Sequence, residues 1–253
     1  MITAVLFDVD DTLTDYHGAE RAGILRYLAQ LGVPAARQPA GADLWRAVQQ
    51  RHFARYIDGE LSFAGQRRAR VVDMAEWLGD TCADPDTWFE GYRACYEAVL
   101  APFDDVAGCL RRLDRLALGV ISNNDEAYTR KKLELTGLAG HFRCVLGRDT
   151  VGRAKPDREI FHAGCAALGV GPAHTAYVGD HLDMDARGAT AAGLTGIWLD
   201  RGSAGPSDTG PSDTGPVDNG VLRIRGLGQL PGLIEDLTAA TPAASRGSDH
   251  ARG

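Results

Sequence analysis

Paired cysteines, long apolar runs and surplus positive charge are all missing from this sequence. The five cysteines (Cys82, Cys95, Cys109, Cys144 and Cys165) are odd in number, widely spaced and never in a C-x-x-C pair. That spacing supports neither a disulfide framework nor a zinc site, and free thiols in a reducing compartment are the expectation. No apolar run approaches the ~18 residues that a membrane span requires. The opening MITAVLFDVDD lacks the basic n-region and apolar core of a secretion signal. A cytoplasmic chain without a membrane partner is therefore expected. Basic residues number 27 against 34 acidic ones, a formal charge of −7. This balance argues against nucleic acid or an anionic membrane as a partner, since both attract positive surfaces.

What remains is the composition of a soluble globular protein, 44% hydrophobic and 24% charged over 253 residues. The length suits one large domain or two modest ones. Short apolar runs at Ala4–Phe7, Leu118–Ile121, Phe142–Leu146, Thr175–Val178 and Gly196–Leu199 read as buried strands. Helical patterns with clear stops lie between the later ones: Asp125 to Thr136 before Gly137, Pro156 to Leu168 before Gly169, and Met184 to Ala192 before Gly193. Pro156 is expected in the first turn of its helix. Alternation of this kind predicts an α/β fold with a doubly wound parallel sheet.

Tyr16 to Pro102 breaks the rhythm, being several times longer than a crossover between neighbouring strands. Its helical patterns at Ala19–Leu31, Leu44–Tyr56, Gly65–Leu78 and Pro85 to about Leu100 predict an inserted α-helical bundle. The expected organisation is a core of residues 1–15 and 103–238 with a helical cap of residues 16–102. Residues 201–220 carry the repeat GPSDT GPSDT GPVDN and read as a flexible loop. Val221–Ile224 reads as an edge strand and Leu227–Leu237 as a last helix, followed by a disordered tail over 239–253.

Two acidic clusters follow apolar strands. Asp8 and Asp10, in D-V-D-D-T, are two residues apart at a strand end and can converge on one side. Ligands of open α/β sheets bind outside these carboxyl ends. Like charges so close call for a cation or for one protonated partner. Asp180 and Asp185, in G-D-H-L-D-M-D, repeat the arrangement after TAYV. Hard oxygen donors grouped in this way suit Mg²⁺. Ser122 and Asn123 end another strand, where a hydroxyl and free amides suit phosphate oxygens. Lys155 precedes a helix start and is placed to neutralise a phosphoryl group. Taken singly, each of these is also ordinary capping, loop or solvated-surface chemistry.

In order and spacing, these four segments resemble the haloacid dehalogenase-like hydrolase superfamily over residues 1–15 and about 103–200. The resemblance implies a Rossmann-like core, with Asp8 as nucleophile and Asp10 as acid/base. It also implies Ser122 and Lys155 as phosphate-binding groups, and Asp8, Asp10 and Asp180 as Mg²⁺ ligands with Asp185 in support. Members of the family that cleave carbon–halogen bonds generally lack the second aspartate of the first motif. Its presence here, as Asp10, favours a phosphatase acting on a small phosphorylated metabolite through an aspartyl-phosphate. Sugar phosphates, nucleoside monophosphates, phosphoglycolate and biosynthetic intermediates are all compatible with these motifs.

Three other readings compete. A sugar phosphomutase shares the core motifs, and a phosphorylated signalling receiver shares the acids, hydroxyl and lysine. A nucleotide-binding loop at Gly147–Ala154 has the right spacing, but Arg153 and Ala154 stand where Lys and Ser/Thr are required. In the insert, Arg51, Arg55, Tyr56, Arg67, Arg68 and Arg70 cluster around Gly59. A solvated helix face is the expectation for most of them, with one or two meeting an anionic part of the substrate. Tyr16, His17 and His181 lie near the site by sequence alone.

Overall fold

Ala4–Phe7 forms β1, a strand buried on both faces and therefore apolar at every position. The computed structural model describes residues 1–202, 215–216 and 220–239. The repeat at 205–219 and the tail beyond 239 lie almost entirely outside them. β1 is followed by four helices, α1 (Tyr16–Gln30), α2 (Gln38–Ile57), α3 (Phe63–Leu78) and α4 (Pro85–Glu97). After α5 (Val106–Arg112) the chain alternates: β2 (Ala117–Ile121), α6 (Glu126–Leu135), β3 (Cys144–Leu146), α7 (Arg148–Val151), α8 (Arg158–Leu168), β4 (Thr175–Gly179), α9 (Gly188–Ala191) and β5 (Thr195–Leu199). β6 (Gly215–Pro216), β7 (Leu222–Ile224) and α10 (Leu230–Ala239) complete the described chain.

The strands lie in the order β3-β2-β1-β4-β5-β7-β6, parallel except for β6, which pairs antiparallel with β7. The period of two along each strand sends side chains alternately to opposite faces. Val5, Phe7, Val120 and Val178 thus join one apolar cluster with α5 and α10, while Leu6, Ile121 and Tyr177 join another with α8 and α9. The sheet is covered on both faces, as its continuous apolar strands require. The chain runs from β1 to β2 on one side, and β4 later adds to the other. The β1/β4 boundary is the switch point where such sheets leave a crevice.

Helices α1–α4 bury their own aromatic-rich cluster, which includes Trp45, Phe89, Tyr92 and Tyr96. Chain entry and exit lie side by side. Thr14 bridges Pro102, the Asp15 amide donates to the Ala101 carbonyl (3.1 Å), and the Phe103 amide donates to the Leu13 carbonyl (3.1 Å). These pairings hold the helical insert directly over the carboxyl end of β1.

Three local expectations differ from the structure. Pro156 lies outside α8, which begins at Arg158 with the Asp157 side chain accepting from the Glu159 amide (2.9 Å). A side-chain cap fixes that start, so no proline is needed in the first turn. The helix expected from Met184 opens instead as a π-helical turn, Leu182–Arg187, and becomes α-helical only at Gly188. β7 is not the edge strand, because β6 covers its outer side.

Candidate active site

Asp8, Ser122 and Asp180 each follow directly on a strand, β1, β2 and β4, so the parallel sheet brings them to one end. All three line a cavity of about 230 Å³ between the sheet and the helical insert, together with Asp10, Asn123, Lys155 and Asp185. One oxygen from each of Asp8, Asp180 and Asp185 lies within 4.8 Å of the others. This all-oxygen donor set fits a hard divalent cation.

Lys155 ties the cluster together. Its buried ammonium donates to Asp8 Oδ1 (2.6 Å), Asp185 Oδ1 (2.7 Å) and Tyr177 Oη (2.9 Å). Burial works against its charge, but Asp185 and Asp8 outweigh burial and hold the ammonium well above its ordinary range. Burial, with repulsion from Asp185 and Asp10, pushes Asp8 up to about 7 even against the lysine. Burial and the charges of Asp8, Asp185 and Asp11 push Asp180 up to about 8. The acids outnumber their lysine, and a cation is what this arrangement is short of.

The motif glycine has a steric reason. A Cβ on Gly179 would stand 2.3 Å from Asp185 Cγ, so only glycine lets that carboxylate reach the site. Asp185 Oδ2 also accepts from the His181 amide (3.0 Å), which folds the loop back on itself. Asp180 is held from both ends of its peptide. Its amide donates to Thr12 Oγ1 (3.1 Å), and its carbonyl accepts from Trp198 Nε1 (2.9 Å). Asp11 takes a positive φ of 59°, one of the few non-glycine types that tolerate it. This turns the chain after Asp10.

Asn123, expected to bind phosphate, lines the cavity beside Ser122. Its side chain donates to the Lys155 carbonyl (3.2 Å) and accepts from the Lys155 amide (2.7 Å). A carboxamide engaged at both ends positions Lys155. Ser122 is buried, with Oγ accepting from the Asn124 amide (3.1 Å). Gly147–Ala154 forms no phosphate loop, since half of it winds into the short α7.

Lys132 and Asn124 were not anticipated. Lys132, buried on α6, donates to both Asp10 oxygens (2.6 and 2.8 Å) and sits among the rings of Tyr16, Tyr96 and Tyr128. Asn124 Nδ2 donates to Asp10 Oδ2 (2.7 Å). Asp10 is thus turned toward α6 and Asp8 toward Lys155. The available signal was rarity: lysine occurs only at 131, 132 and 155. Tyr16, His17 and His181 line the cavity, and His17 Nδ1 pairs with Asp11 Oδ2 (2.6 Å).

This site, on this sheet, defines a class. Residues 2–193 match the family model described as haloacid dehalogenase-like hydrolase, and the chain belongs to that hydrolase family. Among its relatives is a glyceraldehyde 3-phosphate phosphatase of Methanopyrus kandleri, 31% identical over 209 residues, covering 80% of this chain and 85% of the relative. A phosphoserine phosphatase of Thermus thermophilus is 44% identical over 87 residues, 34% of this chain and 35% of that protein. In fold the chain is similar to the magnesium-bound HAD-hydrolase YfnB of Bacillus subtilis (TM-score 0.74, 21% identity, 92% of this chain and 99% of the other). It is also similar to the L-2-haloacid dehalogenase of Xanthobacter autotrophicus (TM-score 0.71, 22% identity, 93% and 99%).

Proposed function

We propose that this hydrolase is a phosphatase that cleaves a small phosphate monoester through Asp8. The observation that carries the reading is Asp8 itself. One of its oxygens is held by Lys155, while the other has no hydrogen-bond partner among the described residues, at the open end of β1 beside Asp10. The named activities of the relatives, on glyceraldehyde 3-phosphate and phosphoserine, support an ester of this size. A cavity of about 230 Å³ suits it too. It falls below the ~300–1,000 Å³ of pockets for drug-sized ligands.

In the proposed first step the Asp8 carboxylate attacks phosphorus, the ester P–O bond breaks, and Asp10 gives a proton to the departing oxygen. In the second, Asp10 takes a proton from water as that water displaces Asp8 from phosphorus, releasing inorganic phosphate and restoring the Asp8 carboxylate and the protonated Asp10. Lys155 holds Asp8 in place and supplies positive charge, and Ser122 offers its hydroxyl to a phosphoryl oxygen. Lys132 and Asn124 hold Asp10, fixing the direction of its proton transfer. Mg²⁺ at Asp8, Asp180 and the Asp10 carbonyl, with Asp185 supporting, would neutralise charge on the phosphoryl oxygens. Helices α1–α4, as a cap of residues 16–102, would exclude bulk water and select the ester.

The test is release of inorganic phosphate from a panel of monoesters with Mg²⁺. Asp8→Asn is expected to lower kcat by at least about a thousandfold, as loss of a covalent nucleophile does. Retained turnover in a clean preparation of that variant would rule the mechanism out.

A further inference from the structure

The cavity is electrically two-ended. Its sheet side carries the carboxylates with Lys132 and Lys155, whereas the α2–α4 wall contributes Arg67, Arg70 and Arg93 and no carboxylate. The six residues around Gly59 divide accordingly. Arg51, Arg55 and Arg68 face solvent and pair with Asp73 (3.0 Å), Glu60 (2.9 Å) and Asp86 (2.7 Å). Tyr56 lies under Arg148. Only Arg67 and Arg70 reach the cavity.

The three cavity arginines are not equivalent. Arg93 is paired with Glu90 and with Glu97. Arg70 lies 3.6 Å from the buried Glu20 and rests on the Trp45 ring (4.4 Å). Arg67 has no hydrogen bond or ion pair among the described residues. Aromatic rings hold it instead: Phe63 (4.1 Å), Tyr128 (5.0 Å) and Phe89 (5.2 Å) from its guanidinium carbon. Ring contacts of this kind accept none of the N–H bonds of the guanidinium in the way a carboxylate does, and its fork of donors can grip a carboxylate in two parallel hydrogen bonds. Burial, with repulsion from Arg93 and Arg70, lowers the pKa of Arg67 even against Tyr128 and Asp125.

One uncompensated guanidinium calls for one negative charge. A second phosphate would bring nearly two, and a neutral chain end would leave Arg67 unpaired. We infer that the substrate is the phosphate monoester of a small hydroxy acid, its phosphate at Asp8 and its carboxylate on the edge of Arg67. The inference rests on the phosphatase reading. It adds the chemical class of the ester and the residue that recognises it.

The experiment compares kcat/KM for matched pairs with Mg²⁺: 2-phosphoglycolate against 2-hydroxyethyl phosphate, and 3-phosphoglycerate against glycerol 1-phosphate, with p-nitrophenyl phosphate as a general ester. The wild type is expected to favour the acid by at least about tenfold in one pair or both, a preference carried mainly in KM. In Arg67→Met the acid-to-alcohol ratio is expected to fall toward one. Arg67→Lys, which keeps the charge but loses the fork, is expected to lie between them and serves if Arg67→Met does not fold. Equal kcat/KM for acid and alcohol in the wild type overturns the carboxylate assignment and leaves the phosphatase reading standing. A preference that persists in both variants overturns the role of Arg67. An Arg67-dependent preference for a bisphosphate over both acids overturns the single-charge argument. Failure to hydrolyse any ester, p-nitrophenyl phosphate included, overturns the phosphatase reading and this inference with it.

Discussion

Replacing Lys132 by Met removes the ammonium from Asp10 while leaving a chain of similar length among the three tyrosine rings. Without it the Asp10 carboxylate keeps Asn124 as its one side-chain partner among the described residues. We expect kcat to fall about 10–100-fold with little change in KM, because the loss concerns proton transfer more than binding. Steady-state kinetics with rescue by Lys132→Arg would check it. Gly179→Ala places a methyl against the Asp185 carboxyl group, and a destabilisation of about 1–3 kcal/mol is expected in urea unfolding, with loss of activity. Side chains at strand ends were legible in the sequence, since an apolar run that stops in acid states both the strand and the direction of its last residues. Lys132 was not, because it reaches Asp10 from a helix 122 residues further on. Nothing local marks that contact. The hold of the Asn123 side chain on the Lys155 backbone was not legible either, since it joins residues 32 positions apart.

Helix α6 carries Lys132, and its start is fixed by Asp125, whose side chain accepts from the Tyr128 amide (3.1 Å). Asp125→Ala should cost about 1 kcal/mol of stability, lowering Tm by about 2–4 °C. A fall in kcat is expected beside it if the first turn frays and Tyr128 withdraws from Lys132. Calorimetry and kinetics on the same variant separate the two effects. Strands and capped helices could be read from apolar runs and their punctuation. The segment after Asp180 could not be read the same way. Its 3.6-residue pattern is that of a helix, but Asp185 must fold back to Lys155 and the His181 amide, which widens the first turn. Tertiary demand outweighs propensity there. β6 was also illegible, because two residues carry no strand pattern.

At the scale of the whole molecule, charge in the cavity links stability to pH. Asp8 and Asp180 stand at about 7 and about 8 in the folded chain against 3.8 for an unperturbed aspartate. Between those limits the native state holds more protons than the unfolded one, so stability of metal-free protein falls as pH rises through that window. Mg²⁺ competes with those protons and offsets their loss. Thermal melts in chelator and in millimolar Mg²⁺ should therefore show a metal-dependent rise of a few degrees at pH 8 and a smaller one at pH 5. An equal rise at both would place the ion elsewhere. The doubly wound sheet and its helical insert were legible because a long helical interruption in an alternating pattern has few topological solutions. Which face of the insert meets the site was not, since Arg51 and Arg67 look alike until the bundle closes. The paired linkers at Thr14–Asp15 and Ala101–Phe103 have a consequence for how such a chain can change. Seen as a polymer, the insert is a loop whose two ends are already tied together. The entropy of closing it grows only with the logarithm of its length. A bundle of another size or lining can be spliced between the same two points while the sheet and its acids keep their register. One contiguous exchange would then redirect the hydrolase to a new substrate without altering its chemistry.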